Sequence, residues 1–373
     1  MTRRRAWPLA MLAALLLIAG LVAAVLLHRP AGPGDAPRPT APDGPPEAGP
    51  PVQDLAPIAR AADGGPQSPA PADAPPARAA GREEIAFQSA WGSQPGQLGR
   101  NPAQESNPEG PMSLVVDGDG RILVLDQVNM RVQVFEDGKA SRTVPLPNDT
   151  IQELALDKDG DLLLMDRLAE QSVLEVDASG KIKNEVALVG AGVPEGGGVT
   201  GMFWREDGLW VEVEHRYLVR IMDAAGNPDP TRPILEGRLS ADGQFLLHAA
   251  LEGPFSVVVL ARPMAEQGEL RALARVALPL QVLQILSLDT DMLGRIYLAC
   301  HLVRWRAVDP FDAEEEAVLM VVLGPDGGEL GRIPMHVSQT PDEQMRSIFV
   351  TPDGVIYQLV FTEQGAIAYR YTL

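Results

Sequence analysis

MSLVVDGDGRILVLD (residues 112–126) reads as a short apolar strand, a turn built from Asp and Gly, and a second apolar strand, and the chain repeats that unit five more times. The others are ELALDKDGDLLLMD (153–166), GMFWREDGLWVEVE (201–214), GRLSADGQFLLHA (237–249), ILSLDTDMLGRIYLAC (285–300) and SIFVTPDGVIYQLV (347–360). Their turn glycines, Gly120, Gly160, Gly208, Gly243, Gly294 and Gly354, stand 40, 48, 35, 51 and 60 residues apart. A tight hairpin turn needs a positive φ that glycine reaches without a Cβ penalty. A second turn follows inside each unit, at Gly138, Gly180, Gly226, Gly268, Gly327 and Gly365. Each unit is therefore a four-stranded antiparallel meander.

The strands ILVL, LLLM and IYLA are apolar at consecutive positions, as strands are when both faces of their sheet are covered. Meanders of roughly 40–50 residues that sandwich one another around a channel form a β-propeller. The expected fold is all-β, a six-bladed propeller of four-stranded blades over residues 83–373. After Gly354 the chain has only two more strands, and the segment EIAFQSAW (84–91) precedes the first unit. That N-terminal strand is expected to complete the last blade from outside, so that no sheet edge is left open.

The first unit resembles an NHL repeat. The stretch from residue 87 to 139 carries a glycine-rich lead-in, Pro111 before the first strand, the V-x-D step, then Asn129, Arg131 and the strand VQVF. The second unit keeps LALDKDGDLLLMDR but has Ala169 to Gln171 where the Asn and Arg would stand. This resemblance implies a six-bladed propeller of the NHL or TolB-like kind, a fold that often serves as an interaction module.

Composition bounds the rest. Lys+Arg 31 against Asp+Glu 50 gives a formal charge of -19, which removes the phosphate attraction that nucleic-acid binding needs. The single cysteine, Cys300, can form neither an internal disulfide nor a zinc ribbon. Residues 1–5 hold three arginines, and residues 6–27 are 22 uncharged residues, about 33 Å of helix at 1.5 Å each. A transmembrane signal-anchor is expected there, with a cleaved signal peptide as the competing reading. The positive-inside rule then places residues 1–5 in the cytoplasm and the propeller outside it, on a bacterial inner membrane. Residues 28–82 are rich in Pro and Ala and carry too little apolar surface to fold, so a disordered linker is expected. Without residues 1–80, 24 basic and 44 acidic residues remain, and a cationic protein or envelope component suits such a surface.

Candidate chemistry is sparse. Asp126, Asp166 and Glu214, six residues after their turn glycines, could converge on a cation, but the resemblance to NHL-like blades implies turn carboxylates that cap backbone N–H groups at that place. Asp117, Asp119, Asp157, Asp159 and Asp161 read as turn residues, because DKDGDLLLMDRL has leucine where a calcium loop of the EF-hand type needs glycine. Cys300 beside His301 could be a nucleophile, but adjacent strand residues point to opposite faces. The openings of the inner strands should ring one mouth of the channel, and there Gln152, Glu153, Glu236, Gln284 and Arg346 are the candidate ligand-binding residues. No catalytic group, metal or cofactor is assigned. The leading function is a noncatalytic scaffold for a protein or ligand. The alternative is an extracytoplasmic hydrolase or lyase, as in gluconolactonase-like propellers, which would need several channel ligands for a metal.

Overall fold

A computed structural model describes residues 81–102, 108–308 and 311–373. The span expected at 6–27 and nearly all of the linker lie outside the described residues. Among the described residues no helix is long and apolar enough to cross a membrane.

Six four-stranded sheets make up the propeller. The chain enters with β1 (Arg82–Ala90), which belongs to the last sheet. Blade 1 is β2 (Ser113–Val116), β3 (Ile122–Asp126), β4 (Arg131–Glu136) and β5 (Lys139–Pro145). Blade 2 is β6 (Glu153–Leu156), β7 (Leu162–Asp166), β8 (Ser172–Val176) and β9 (Ile182–Ala187). Blade 3 is β10 (Val199–Arg205), β11 (Gly208–Val213), β12 (Tyr217–Asp223) and β13 (Ile234–Glu236). Blade 4 is β14 (Arg238–Leu239), β15 (Phe245–Gly253), β16 (Ser256–Pro263) and β17 (Arg271–Ala277). Blade 5 is β18 (Gln281–Thr290), β19 (Ile296–Val308), β20 (Phe311–Leu323) and β21 (Glu329–Met335). Blade 6 is β22 (Ile348–Val350), β23 (Ile356–Phe361) and β24 (Gly365–Thr372), with β1 outermost. Near the tip of the long β19–β20 hairpin Arg306 and Asp312 form an ion pair at 3.3 Å.

Five of the six blades open on the same local device, blade 3 turning instead through a tighter hairpin in which Arg205 pairs with Gly208. The first turn residue accepts a hydrogen bond from the turn glycine and donates one across the turn, as Asp117 does with Gly120 (3.0 Å) and Arg121 (3.0 Å). Its side chain also accepts from the backbone of Asp119 (3.0 Å) and Arg121 (2.9 Å), and Asp157 and Asp291 do the same in blades 2 and 5. These aspartates bind their own turns, as the sequence suggested. The six first-turn glycines all have positive φ, from 71° to 133°.

Gly365 departs from that pattern. It lies inside β24 with ordinary φ, and a Cβ there would meet the Ser89 carbonyl oxygen at 1.9 Å. Its role is the close approach of β24 to β1. Gly365→Ala is expected to loosen this closure and cost about 1–3 kcal/mol, read as a shifted urea midpoint; a midpoint unchanged within error would remove the close-approach explanation.

Buried side chains fill the seams between blades. Leu163, Met165, Met202 and Val211 pack blade 2 on blade 3, and Phe87, Leu114, Val124 and Ala366 pack blade 6 on blade 1. The seam between blades 3 and 4 differs. Its apolar cluster has three buried members, Phe203, Trp210 and Leu218, with Leu235 and Leu239 packed against them, and a charged pair, Arg238 with Glu212, crosses it as well. That seam positions the site.

Candidate channel site

The inner strands converge on a cavity of about 260 Å³ lined by residues of all six blades. Two residues before each blade's first turn residue stand Val115, Ala155, Phe203, Arg238, Asp289 and Phe349, and all six line it. The ring is mostly apolar, with one guanidinium and one carboxylate. Arg205 joins it from the end of β10 and Arg346 from just before β22.

These charged groups are ordered by pairing. Arg238 Nε and Nη2 donate to the two oxygens of Glu212 at 2.9 and 2.8 Å, a fork that spans the seam from blade 4 to blade 3. Arg238 Nη1 also donates to Asp289 at 3.2 Å. The Glu212 carboxylate accepts from the Thr200 hydroxyl (3.1 Å) and meets His215 Nδ1 at 3.0 Å. Glu214 and His215 hold φ of 52° and 55°, a left-handed pair of non-glycine residues in the turn beside this carboxylate. Burial alone would raise the Glu212 carboxyl. The Arg238 charge, with hydrogen bonds from His215 and Arg238, more than reverses that and holds it well below the carboxylate range.

Glu153 pairs with Arg346, whose Nη2 also donates to the Met202 carbonyl at 3.1 Å. Glu153 is 1% exposed and its Oε2 has no partner among the described residues. Burial raises its carboxyl, and the Arg346 charge only partly offsets this. Three guanidiniums approach one ring: the carbons of Arg238, Arg346 and Arg205 lie 4.6, 5.1 and 5.2 Å from the Phe203 centroid.

The structure brings together only part of the residue set that the sequence singled out. Glu153 and Arg346 meet. Gln152 is beside them in sequence, but its Oε1 accepts from the Arg167 backbone at 2.9 Å. Gln284 is on inner strand β18 yet exposed, opposite His301 on β19. Glu236 is not on an inner strand. It ends β13, the outermost strand of blade 3, where it pairs with Tyr217 and is exposed. The cause is Gly237, whose φ of 91° carries the chain in one residue from the outside of blade 3 to the inside of blade 4. Arg205, Arg238, Asp289 and Glu212 were missed. Counting two residues back from each turn would have found the ring with Arg238 and Asp289, whereas Glu212 lies on a second strand and carries no such mark.

Other candidates resolve locally. Asp126 accepts from Gly99 N (2.7 Å), Asn129 (2.9 Å) and Arg131 (2.8 Å), and Asp166 from the backbone of Ala169 (2.9 Å), so both bind neighbouring donors. Asp157, Asp161 and Glu175 cluster closely enough to hold an ion, but the Lys183 ammonium bridges Asp161 and Glu175, reaching the latter at 2.8 Å. Cys300 is fully buried, and burial pushes its thiol up to about 12. His301 turns to Glu316 instead, at 3.2 Å.

A channel metal of the kind the gluconolactonase-like alternative requires does not fit this donor set. Glu212 and Asp289 are engaged by Arg238 and Glu153 by Arg346, and no histidine stands among the described residues lining the cavity, so the carboxylates are already paired and no nitrogen ligand is at hand.

No protein-family model matches the chain, and no curated protein matches it by sequence. Solved structures match it at low identity. A gluconolactonase from Xanthomonas campestris is 15% identical over 82% of this chain and 98% of that one, with a TM-score of 0.46. The calcium-binding protein regucalcin from Agrobacterium tumefaciens is 14% identical over 78% and 94%, at 0.44. An inactive variant of virginiamycin B lyase from Staphylococcus aureus, solved with quinupristin, is 13% identical over 74% and 99%, at 0.38.

Proposed function

We propose that this chain is a membrane-tethered, extracytoplasmic propeller that binds a small organic ligand in its channel without transforming it, and presents an acidic outer surface to a protein or envelope partner. The observation that carries this reading is the cavity itself. It is walled by Val, Ala, Phe and Leu side chains, with a few polar groups held in fixed pairs, which is the usual makeup of a small-molecule pocket. Catalysis would need a nucleophile and a base in contact. The described lining holds no His, Cys or Lys, and the Thr290 hydroxyl is spent accepting from Ala241 N at 2.6 Å. The NHL-like first unit supports an interaction role by analogy of fold alone. The export reading rests on the three arginines and the uncharged segment that follows them.

The test uses the full-length chain with three probes of one shape: 3-phenylpropanol, 3-phenylpropionate and 3-phenylpropylamine. At least one should raise the melting temperature saturably and change the fluorescence of Trp204, which lines the cavity. Ala155→Phe, which fills the cavity from the ring, should abolish the response while keeping a cooperative melt. Failure of all three at millimolar concentration, or an unchanged response in Ala155→Phe, would sink the reading.

A further inference from the structure

One cation in the cavity makes no ion pair among the described residues. Arg205 ends β10, and its Nη1 and Nη2 donate to the backbone carbonyls of Trp204 (3.1 Å) and Leu239 (3.2 Å), so two blades hold the guanidinium in place. Its Nε is buried with no partner, and Arg205 makes no ion pair among the described residues. The two other guanidiniums over the Phe203 ring are neutralised by Glu212 and Glu153. A buried donor left unpaired is costly, and costlier when it carries charge. Burial, opposed in part by Asp289 and reinforced by repulsion from Arg238 and Arg346, holds the Arg205 guanidinium down at about 10. The protein thus keeps a fixed, partly desolvated cation beside an apolar space.

Deepening the ligand-binding reading on which it rests, we propose that Arg205 is the anchor for the carboxylate of a small monocarboxylate whose apolar body packs on Trp204, Leu239 and Phe349. The carboxylate would take the charge of Arg205, which lines the cavity, and the apolar wall would take the rest. The charge distribution selects a single negative charge. Asp289, which pairs with Arg238 and is 23% exposed, faces the same cavity. A phosphate dianion would meet its repulsion, and an ammonium would meet Arg205. A neutral alcohol of the same shape would fill the apolar wall but leave the Arg205 charge unmatched.

The three probes separate this inference from the reading beneath it. In the full-length chain, 3-phenylpropionate should bind at least tenfold more tightly than 3-phenylpropanol, and 3-phenylpropylamine should be the weakest. Arg205→Met removes the charge and keeps the stem, so it should bring the acid down to the level of the alcohol while the alcohol's own affinity stays within about twofold. That retained affinity shows that the variant is folded and its cavity intact. Arg205→Lys should recover part of the preference, since it keeps the charge but loses the planar fork. The inference is overturned if acid and alcohol bind wild type equally, if the acid preference survives in Arg205→Met, or if inorganic phosphate displaces the acid better than acetate does. Equal binding of acid and alcohol would leave the ligand cavity standing, whereas no binding of any probe would remove both.

Discussion

Excision of β1, residues Arg82–Ala90, is expected to convert the full-length chain from a cooperatively melting protein into aggregate. The strand pairs with β24 from Arg82↔Thr372 to Ala90↔Gly365, and its loss uncovers a sheet edge. Phe87, 2% exposed, stacks on Phe135 of blade 1 with centroids 3.8 Å apart, so the same cut opens the seam between the last blade and the first. The Trp91 indole adds a hydrogen bond to the Thr362 carbonyl at 3.0 Å. Removal of residues 31–77 should leave the melting temperature within about 2 °C, which is on the order of 1 kcal/mol for a domain of this size. The milder Phe87→Ala should cost about 3–5 kcal/mol, as truncation of a buried aromatic does. Equal tolerance of the two deletions in a thermal melt would mean that the ring closes without β1.

Arg238→Met should be the most damaging single substitution in the channel. It leaves the Glu212 carboxylate, 3% exposed, without the guanidinium that binds both its oxygens, at a cost of about 3–5 kcal/mol for a broken buried pair. The pH dependence follows in sign. With Arg238 present the Glu212 carboxyl is depressed below its unfolded value near 4.3, so its contribution is complete above that pH and is lost as pH falls through and below it. Without Arg238, burial acts unopposed by the guanidinium and raises the carboxyl, so the variant's penalty is greatest at neutral pH and shrinks as Glu212 takes up a proton. Urea unfolding at pH 7.5 and pH 5 should therefore show the gap between wild type and variant narrowing at the lower pH. A gap of the same size at both would show that the lost stability is packing, not the stranded charge. Glu212→Leu combined with Arg238→Met should recover most of the loss, because an apolar pair of similar volume carries no desolvation cost.

The two effects differ in how far the sequence foreshadowed them. Hairpins are local: Asp117, Gly120 and their counterparts set each turn within five residues, and the apolar strands on either side admit little but a meander buried on both faces. Six such meanders and the segment before them could therefore be read without coordinates. Gly365 shows the limit of that reading. It occupies a turn-like position in the repeat, yet its reason is the carbonyl of Ser89, a residue more than 270 positions earlier.

The candidate site was legible only in fragments, and the misses have one cause. A count along the repeat assumes that every inner strand starts at the same distance from its turn, but β14 has two residues and β18 has ten. Glu236 was thereby credited to the channel although Gly237 leaves it on the outer strand of blade 3, and Arg238, two residues later, took its place. Glu153 and Arg346 were marked separately, 193 residues apart, with nothing local to show that they would meet. By itself the sequence determined the number of blades, the strands and turns within each, and the acidic balance, because those depend on neighbouring residues and on composition. Only the tertiary structure decided which side chains share the channel, that Glu212 and Arg238 join two blades, and that Arg205 makes no ion pair among the described residues. Those facts depend on strand register and on closing the ring, which bring together residues that no local interaction connects.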